Sequence, residues 1–130
     1  MIQLSAKTQN ACLAALELAR RHDAPQPVSL KTIAEAQQIS SQFLVQILLQ
    51  LKRAGIVFST RGAGGGYRLA RSPQDINLFD IISAMEGADA QLSTLHDTAL
   101  ARVLAESWAS LVEEHQLRLR EITLESLRAQ

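Results

Sequence analysis

Between residues 61 and 68 the chain reads Arg-Gly-Ala-Gly-Gly-Gly-Tyr-Arg, and four of its six glycines lie there. Glycine at this density beside arginine suits two chemistries. One is a phosphate cradle, in which backbone N–H groups at the start of a helix hold an anion. The other is a hairpin tip that brings a cation to a nucleic-acid backbone or groove. A cradle needs a helix directly after the glycines, and none is signalled. The flanks Val57-Phe58-Ser59-Thr60 and Tyr67-Arg68-Leu69-Ala70 read as strands, because apolar alternation bounded by glycines marks a hairpin. The expectation is therefore a β-hairpin with Arg61 at its tip and Arg68 on its second strand, and both arginines, with Lys52 just upstream, are expected to contact DNA.

Other residues suited to reading DNA lie just upstream. Ser29 caps a helix of about eight residues that carries Lys31 and places Leu30, Ile33, Ala34 and Gln37 at steps of three and four. A turn at Gln38-Ile39 follows, and Ser40 or Ser41 caps a second helix. Its apolar stripe is Leu44, Ile47, Leu48 and Leu51, and it closes at Lys52-Arg53-Ala54-Gly55 with cations and a glycine. Two short helices joined by a tight turn make a helix-turn-helix. Ser41, Gln42, Val45 and Gln46 fall on the outward face near the second helix's start, where a recognition helix meets base edges. Glutamine pairs bidentately with adenine, and serine bonds base or phosphate. Exposed Ser and Gln are ordinary on any helix, so the order of elements carries more weight. A helix-turn-helix followed directly by a glycine-tipped hairpin is a winged helix, with recognition helix 41–54 and wing 57–70. In that arrangement Gly62 and Gly64 let the wing backbone approach phosphates, and Arg61 suits a narrow minor groove.

Catalytic and metal chemistry find little support. No nucleophile, base and acid set and no paired carboxylates fall in one loop. One cysteine, Cys12, can form neither an internal disulfide nor a zinc or iron-sulfur site alone, and its small apolar neighbours suggest an inert buried thiol. His96 and His115 are isolated and read as surface or interface residues.

Formal charge sums to zero, but unevenly. Residues 1–72 hold nine Lys/Arg against three Asp/Glu, and residues 73–130 hold four against ten, so the halves stand at +6 and −6. A basic half fits nucleic acid as partner. With 130 residues the chain suits one core with an appended oligomerisation element. No apolar run nears the roughly 20 residues of a membrane span, and no signal segment opens the chain. A cytoplasmic protein without membrane contact is expected.

The remaining elements frame the helix-turn-helix. Leu4 to Arg21 reads as a helix capped by Ser5, with Ala11, Ala14, Ala15, Leu18 and Ala19 at helical spacing, and prolines 25 and 27 mark a linker. Asn77 and Asp80 form a capping box for a helix through Ile81, Ile82 and Met85 to Gly87. Residues 88–93 read as a polar connection. Leu100, Val103, Leu104, Trp108, Leu111 and Val112 then recur along a helix running to about Arg120. A lone helix cannot bury so broad a stripe on itself, so pairing with a second chain is expected. Thr123 caps a final turn that docks Leu124 and Leu127. The fold class is mostly α with a small hairpin wing. Residues 1–87 form the DNA-binding domain, and residues 88–130 the dimerisation helix and tail.

These segments together resemble the bacterial winged-helix regulator family that includes the iron-sulfur cluster regulator IscR, the nitric oxide sensor NsrR and the cysteine-metabolism regulator CymR. The most specific signal is the wing, Arg61 through Ala70, following Leu51-Lys52-Arg53-Ala54-Gly55. Leu4-Ser5-Ala6-Lys7, Val28 to Ala34, Asp80-Ile81-Ile82 with Glu86-Gly87, and Ile122-Thr123-Leu124 extend the match along nearly the whole chain. The resemblance implies a homodimer on a palindromic operator in double-stranded DNA, usually a repressor, with Arg61 in the minor groove. It also implies a sensor, and there the chain departs. Cluster-binding members carry three cysteines before or at the start of the long helix, whereas residues 88–105 contain none. Arg102, Ala105 and Gln9 stand near the positions of the family's cluster ligands, so no cofactor and no metal are expected. Val45 replaces an acidic readout residue. An effector protein, a small molecule or constitutive action remain as sources of control, and a winged-helix interaction module that has lost DNA binding is the rival function.

Overall fold

The computed structural model describes residues 3–87 and 97–130. Helix α1 (Ala6–Arg20) is capped by Ser5, whose hydroxyl accepts from the Thr8 N–H, and it buries Ala11, Cys12, Ala14, Ala15, Leu18 and Ala19. These small side chains let α2 (Leu30–Gln37), α3 (Ser41–Arg53) and α4 (Leu78–Glu86) pack against it. Ile33 of α2, Leu44, Ile47, Leu48 and Leu51 of α3, and Ile81 of α4 are sealed from solvent around it. The predicted apolar stripe of the second helix is thus the centre of the core.

Gln38 ends α2 in a left-handed conformation (φ 56°). A side chain there carries a backbone cost that glycine would avoid, yet this reversal turns α2 into α3 within three residues. Ser40, not Ser41, is the N-cap of α3, accepting from Phe43 N–H, and Ser41 is its first residue.

Strands β1 (Val57–Thr60) and β2 (Gly66–Leu69) pair antiparallel, with Val57 opposite Leu69 and Ser59 opposite Tyr67. A third segment joins them: Val28 and Tyr67 exchange backbone hydrogen bonds of 2.8 and 3.0 Å. Gly66 is required by this approach, since a Cβ there would stand 2.4 Å from the Val28 carbonyl oxygen.

After a 3₁₀ turn at Pro73–Asp75, Asn77 and Asp80 close the predicted capping box of α4. Helix α5 (Ala99–Glu121) follows, and the expected polar connection at residues 88–93, like His96, lies outside the described residues. Helix α6 (Leu124–Arg128), capped by Thr123, returns to the body. Leu78 N–H donates to Ile122 O and Leu124 N–H to Ile76 O, both at 2.9 Å, so the starts of α4 and α6 are pinned together. Leu124 is sealed in the core, as expected for the tail, and Arg128 donates to the Ala19 carbonyl at the end of α1.

Candidate nucleic-acid interface

The buried stripe of α3 fixes the opposite face outward. Ser41, Gln42, Val45 and Gln46 are all exposed, with Val45 at 42 %. The four sit in the first turn and a half of α3, presenting two amides, a hydroxyl and an apolar methyl pair. Such a set can donate to and accept from base edges and pack on a thymine methyl.

Ser29 and Ser40 flank this face as helix caps. Each Oγ accepts a backbone N–H, from Thr32 at 3.1 Å and from Phe43 at 3.3 Å. Ser40 Oγ donates to no acceptor among the described residues, whereas Ser29 Oγ also lies 2.8 Å from Thr32 Oγ1. Lys31 is exposed on the first turn of α2, with only a 3.9 Å approach to Glu35.

The wing follows α3, with β1 packed against that helix. Its tip spans residues 61–65, closed by a Gly65 N–H to Gly62 O bond of 2.9 Å, and Gly62 and Gly64 take positive φ (95° and 79°). Arg61 is exposed at the exit of β1 and has no hydrogen bond or ion pair among the described residues. The two other cations expected to contact DNA, Lys52 of α3 and Arg68 of β2, are instead engaged within the chain. Lys52 Nζ donates to Ser59 Oγ at 2.9 Å, tying α3 to β1. Arg68 turns its guanidinium to the linker between α1 and α2, donating to the carbonyls of Ala24 at 3.1 Å and Pro25 at 2.8 Å. Of the two wing arginines, only Arg61 is left facing outward, and nothing in residue type distinguished them.

The predicted pairing helix forms a second unpartnered surface. No residue of α5 is buried. Leu100, Val103, Leu104, Trp108 and Leu111 are exposed by 38 to 81 %, while Val112 is half-buried. The helix is held at its far end, where Arg120 stacks 4.1 Å above the Phe79 ring of α4. Leu117, 53 % exposed, lies off the predicted stripe and was not signalled by the spacing.

Glu17 is the other residue that sequence pattern did not single out. It is 1 % exposed, and its carboxylate accepts from Arg20, Arg21 and Gln37. Burial pushes its pKa up, but these donors outweigh burial and hold it below the usual carboxylate value. Cys12 is buried on α1, and burial first, then the charge of Glu86, pushes its thiol up to about 11. Among the described residues no three His, Cys, Asp or Glu side chains are grouped to hold a metal.

A profile of the Rrf2 family, described as iron-dependent transcriptional regulators, matches residues 4–130. CymR of Bacillus subtilis is 35 % identical over 126 residues, covering 97 % of this chain and 89 % of CymR. Its solved structure, titled as that of the global cysteine regulator of B. subtilis, superposes with a TM-score of 0.86 over 99 % of this chain and 98 % of that one. IscR of Cereibacter sphaeroides is 33 % identical over 140 residues, covering 98 % of this chain and 90 % of IscR. The solved T. potens IscR, at 35 % identity, matches 97 % of this chain and 85 % of its own with a TM-score of 0.78.

Proposed function

The chain belongs to the Rrf2 family of DNA-binding transcriptional regulators, and from that premise we propose that it acts as a homodimeric repressor on a palindromic operator, reading DNA with the exposed face of α3 and the tip of the wing. The observation that carries this reading is the combination of an exposed polar face, Ser41, Gln42, Val45 and Gln46, with an exposed arginine, Arg61, that has no intramolecular partner among the described residues and sits at the tip of a wing whose first strand packs on α3. The face enters the major groove and reads bases, while Arg61 enters the flanking minor groove. Ser29, Lys31, Ser40 and the backbone at Gly62 and Gly64 meet phosphates and set register. A palindrome requires two readers, and the exposed stripe of α5 supplies the surface for the second chain. The relatives are transcriptional regulators, not enzymes, and the function proposed involves no catalysis. Its action on DNA is proposed to take place in the cytoplasm. No helix of the described residues is long and apolar enough to cross a membrane.

The family's description implies iron, and the donor set does not fit it. The chain's single cysteine is buried on α1 with its thiol pushed up to about 11, and the thiolate is the form that ligates iron. The regulator is therefore proposed to work without a cluster, under control of a partner protein or a small molecule.

The test is selection of bound duplexes from fragmented genomic DNA, followed by titration at several salt concentrations. Enrichment of an inverted repeat, with affinity falling steeply as salt rises, is the expected result. Absence of any shift at low salt, where phosphate attraction is greatest, would overturn the reading. Iron analysis after anaerobic purification should return far less than one atom per chain.

A further inference from the structure

A two-stranded hairpin is marginally stable by itself, so a wing that delivers an arginine to DNA must be held at its base. The structure shows what holds it. On the β1 side, Lys52 of α3 bonds Ser59. On the β2 side, Val28 pairs with Tyr67 through the backbone, and the next residue, Arg68, forks onto the carbonyls of Ala24 and Pro25. Farther out the wing and the linker separate, leaving an open groove lined by Pro25, Gln26, Pro27, Ser29, Gly64 and Gly65. The linker is a firm anchor. Prolines 25 and 27 fix two of its φ angles, and carbonyls there need donors that proline cannot supply. A guanidinium presents paired donors in a rigid plane and so sets an angle as well as a distance.

We propose that Arg68 is a positioning residue: by bridging Ala24 and Pro25 to β2 it sets the angle at which the wing carries Arg61 to DNA. This rests on the reading of Arg61 given above and assigns Arg68 no contact with DNA. Removing Arg68 releases the hinge between wing and linker, and the loss is felt at Arg61.

The experiment is a double-mutant cycle on the full-length protein, with a duplex selected by the wild type as probe. Arg61→Ala, Arg68→Ala and the double variant are titrated at several salt concentrations, and their thermal melts are recorded. If Arg68 acts through Arg61, each single variant loses at least about fivefold in affinity, the scale of one lost groove contact. In the Arg61→Ala background, Arg68→Ala then changes affinity by less than about twofold. Arg68→Lys, which keeps charge but lacks the planar fork, shows a loss close to that of Arg68→Ala. A direct phosphate contact predicts the opposite: near-wild-type binding for Arg68→Lys, and a further drop of about 0.9 in salt slope in the double variant. A purely structural role predicts an undiminished Arg68→Ala loss in both backgrounds, tracking the melt. Either outcome, or wild-type affinity for Arg68→Ala, overturns the proposal while leaving Arg61 in place. Unchanged binding by Arg61→Ala overturns the reading of Arg61 and the proposal with it.

Discussion

Gln37 Nε2 donates to Glu17 Oε1 at 2.8 Å, joining the last residue of α2 to the buried face of the last turn of α1. The carboxylate is closed off by Arg20 and Arg21, whose side chains reach solvent while that of Glu17 does not. This buried charge ties α2, the first helix of the helix-turn-helix, to α1.

Replacing Glu17 by Ala should cost about 3 kcal/mol, the lower end for breaking a buried ion pair, because both arginines can be rehydrated. Urea unfolding at neutral pH measures it. The native pKa lies below the ordinary value for a glutamate carboxyl, so the stabilisation is present above that ordinary value and is lost as pH falls through the lower native pKa. Glu17→Gln should flatten the acid limb of stability against pH. An acid limb as steep as wild type would assign acid sensitivity elsewhere.

Gly66→Ala tests the three-segment wing base. The added Cβ meets the Val28 carbonyl oxygen at 2.4 Å, a backbone atom that cannot swing aside. A loss of about 2 kcal/mol or more in stability is expected, with weaker DNA binding. Gly62→Ala meets nothing within 4 Å and bears only the left-handed backbone cost, about 1 to 2 kcal/mol. Equal losses from the two would show that the approach of Val28 is not what demands glycine.

What the chain revealed in advance followed local rules. Caps at Ser5, Ser29, Asn77 and Thr123, the α3 stripe and both wing strands are each encoded within a few residues, and the structure has them there. The Val28–Tyr67 bridge spans 39 positions and leaves no periodic trace. Arg68 and Arg61 have the same chemistry at both ends of one loop, and only the path of the linker turns the first inward. Glu17 sits at a core position where charge breaks the apolar pattern, and its donors come from α2 as well as its own helix. The exposed face of α3 was legible because burying one side of an amphipathic helix exposes the other.

Gln46→Ala and Lys31→Ala should fail in different ways. Gln46 is exposed on the reading face, so its loss should cost about 1 to 3 kcal/mol on the selected operator and relax preference at one base position. Lys31, exposed with a loose 3.9 Å ion pair, should weaken binding equally on all sequences and lower the salt slope by about 0.9. Neither change should move the thermal midpoint, because neither side chain enters the core. Parallel titrations on the operator and a scrambled duplex separate the two behaviours.

The last prediction concerns α5. Leu100, Leu104, Trp108 and Leu111 advance by four, four and three residues and so share one face, all exposed in the single chain. Burying each large apolar side chain is worth about 1.5 to 3 kcal/mol, so a charge at the centre of that face should break a dimer formed there. Leu104→Glu should yield a monomer by light scattering, with thermal stability no longer rising with protein concentration. On a two-half-site operator the monomeric variant should lose far more affinity than on a single half-site, because the linked second contact is gone. A Leu104→Glu protein that stays dimeric would place the interface on another face of α5 or elsewhere on the chain.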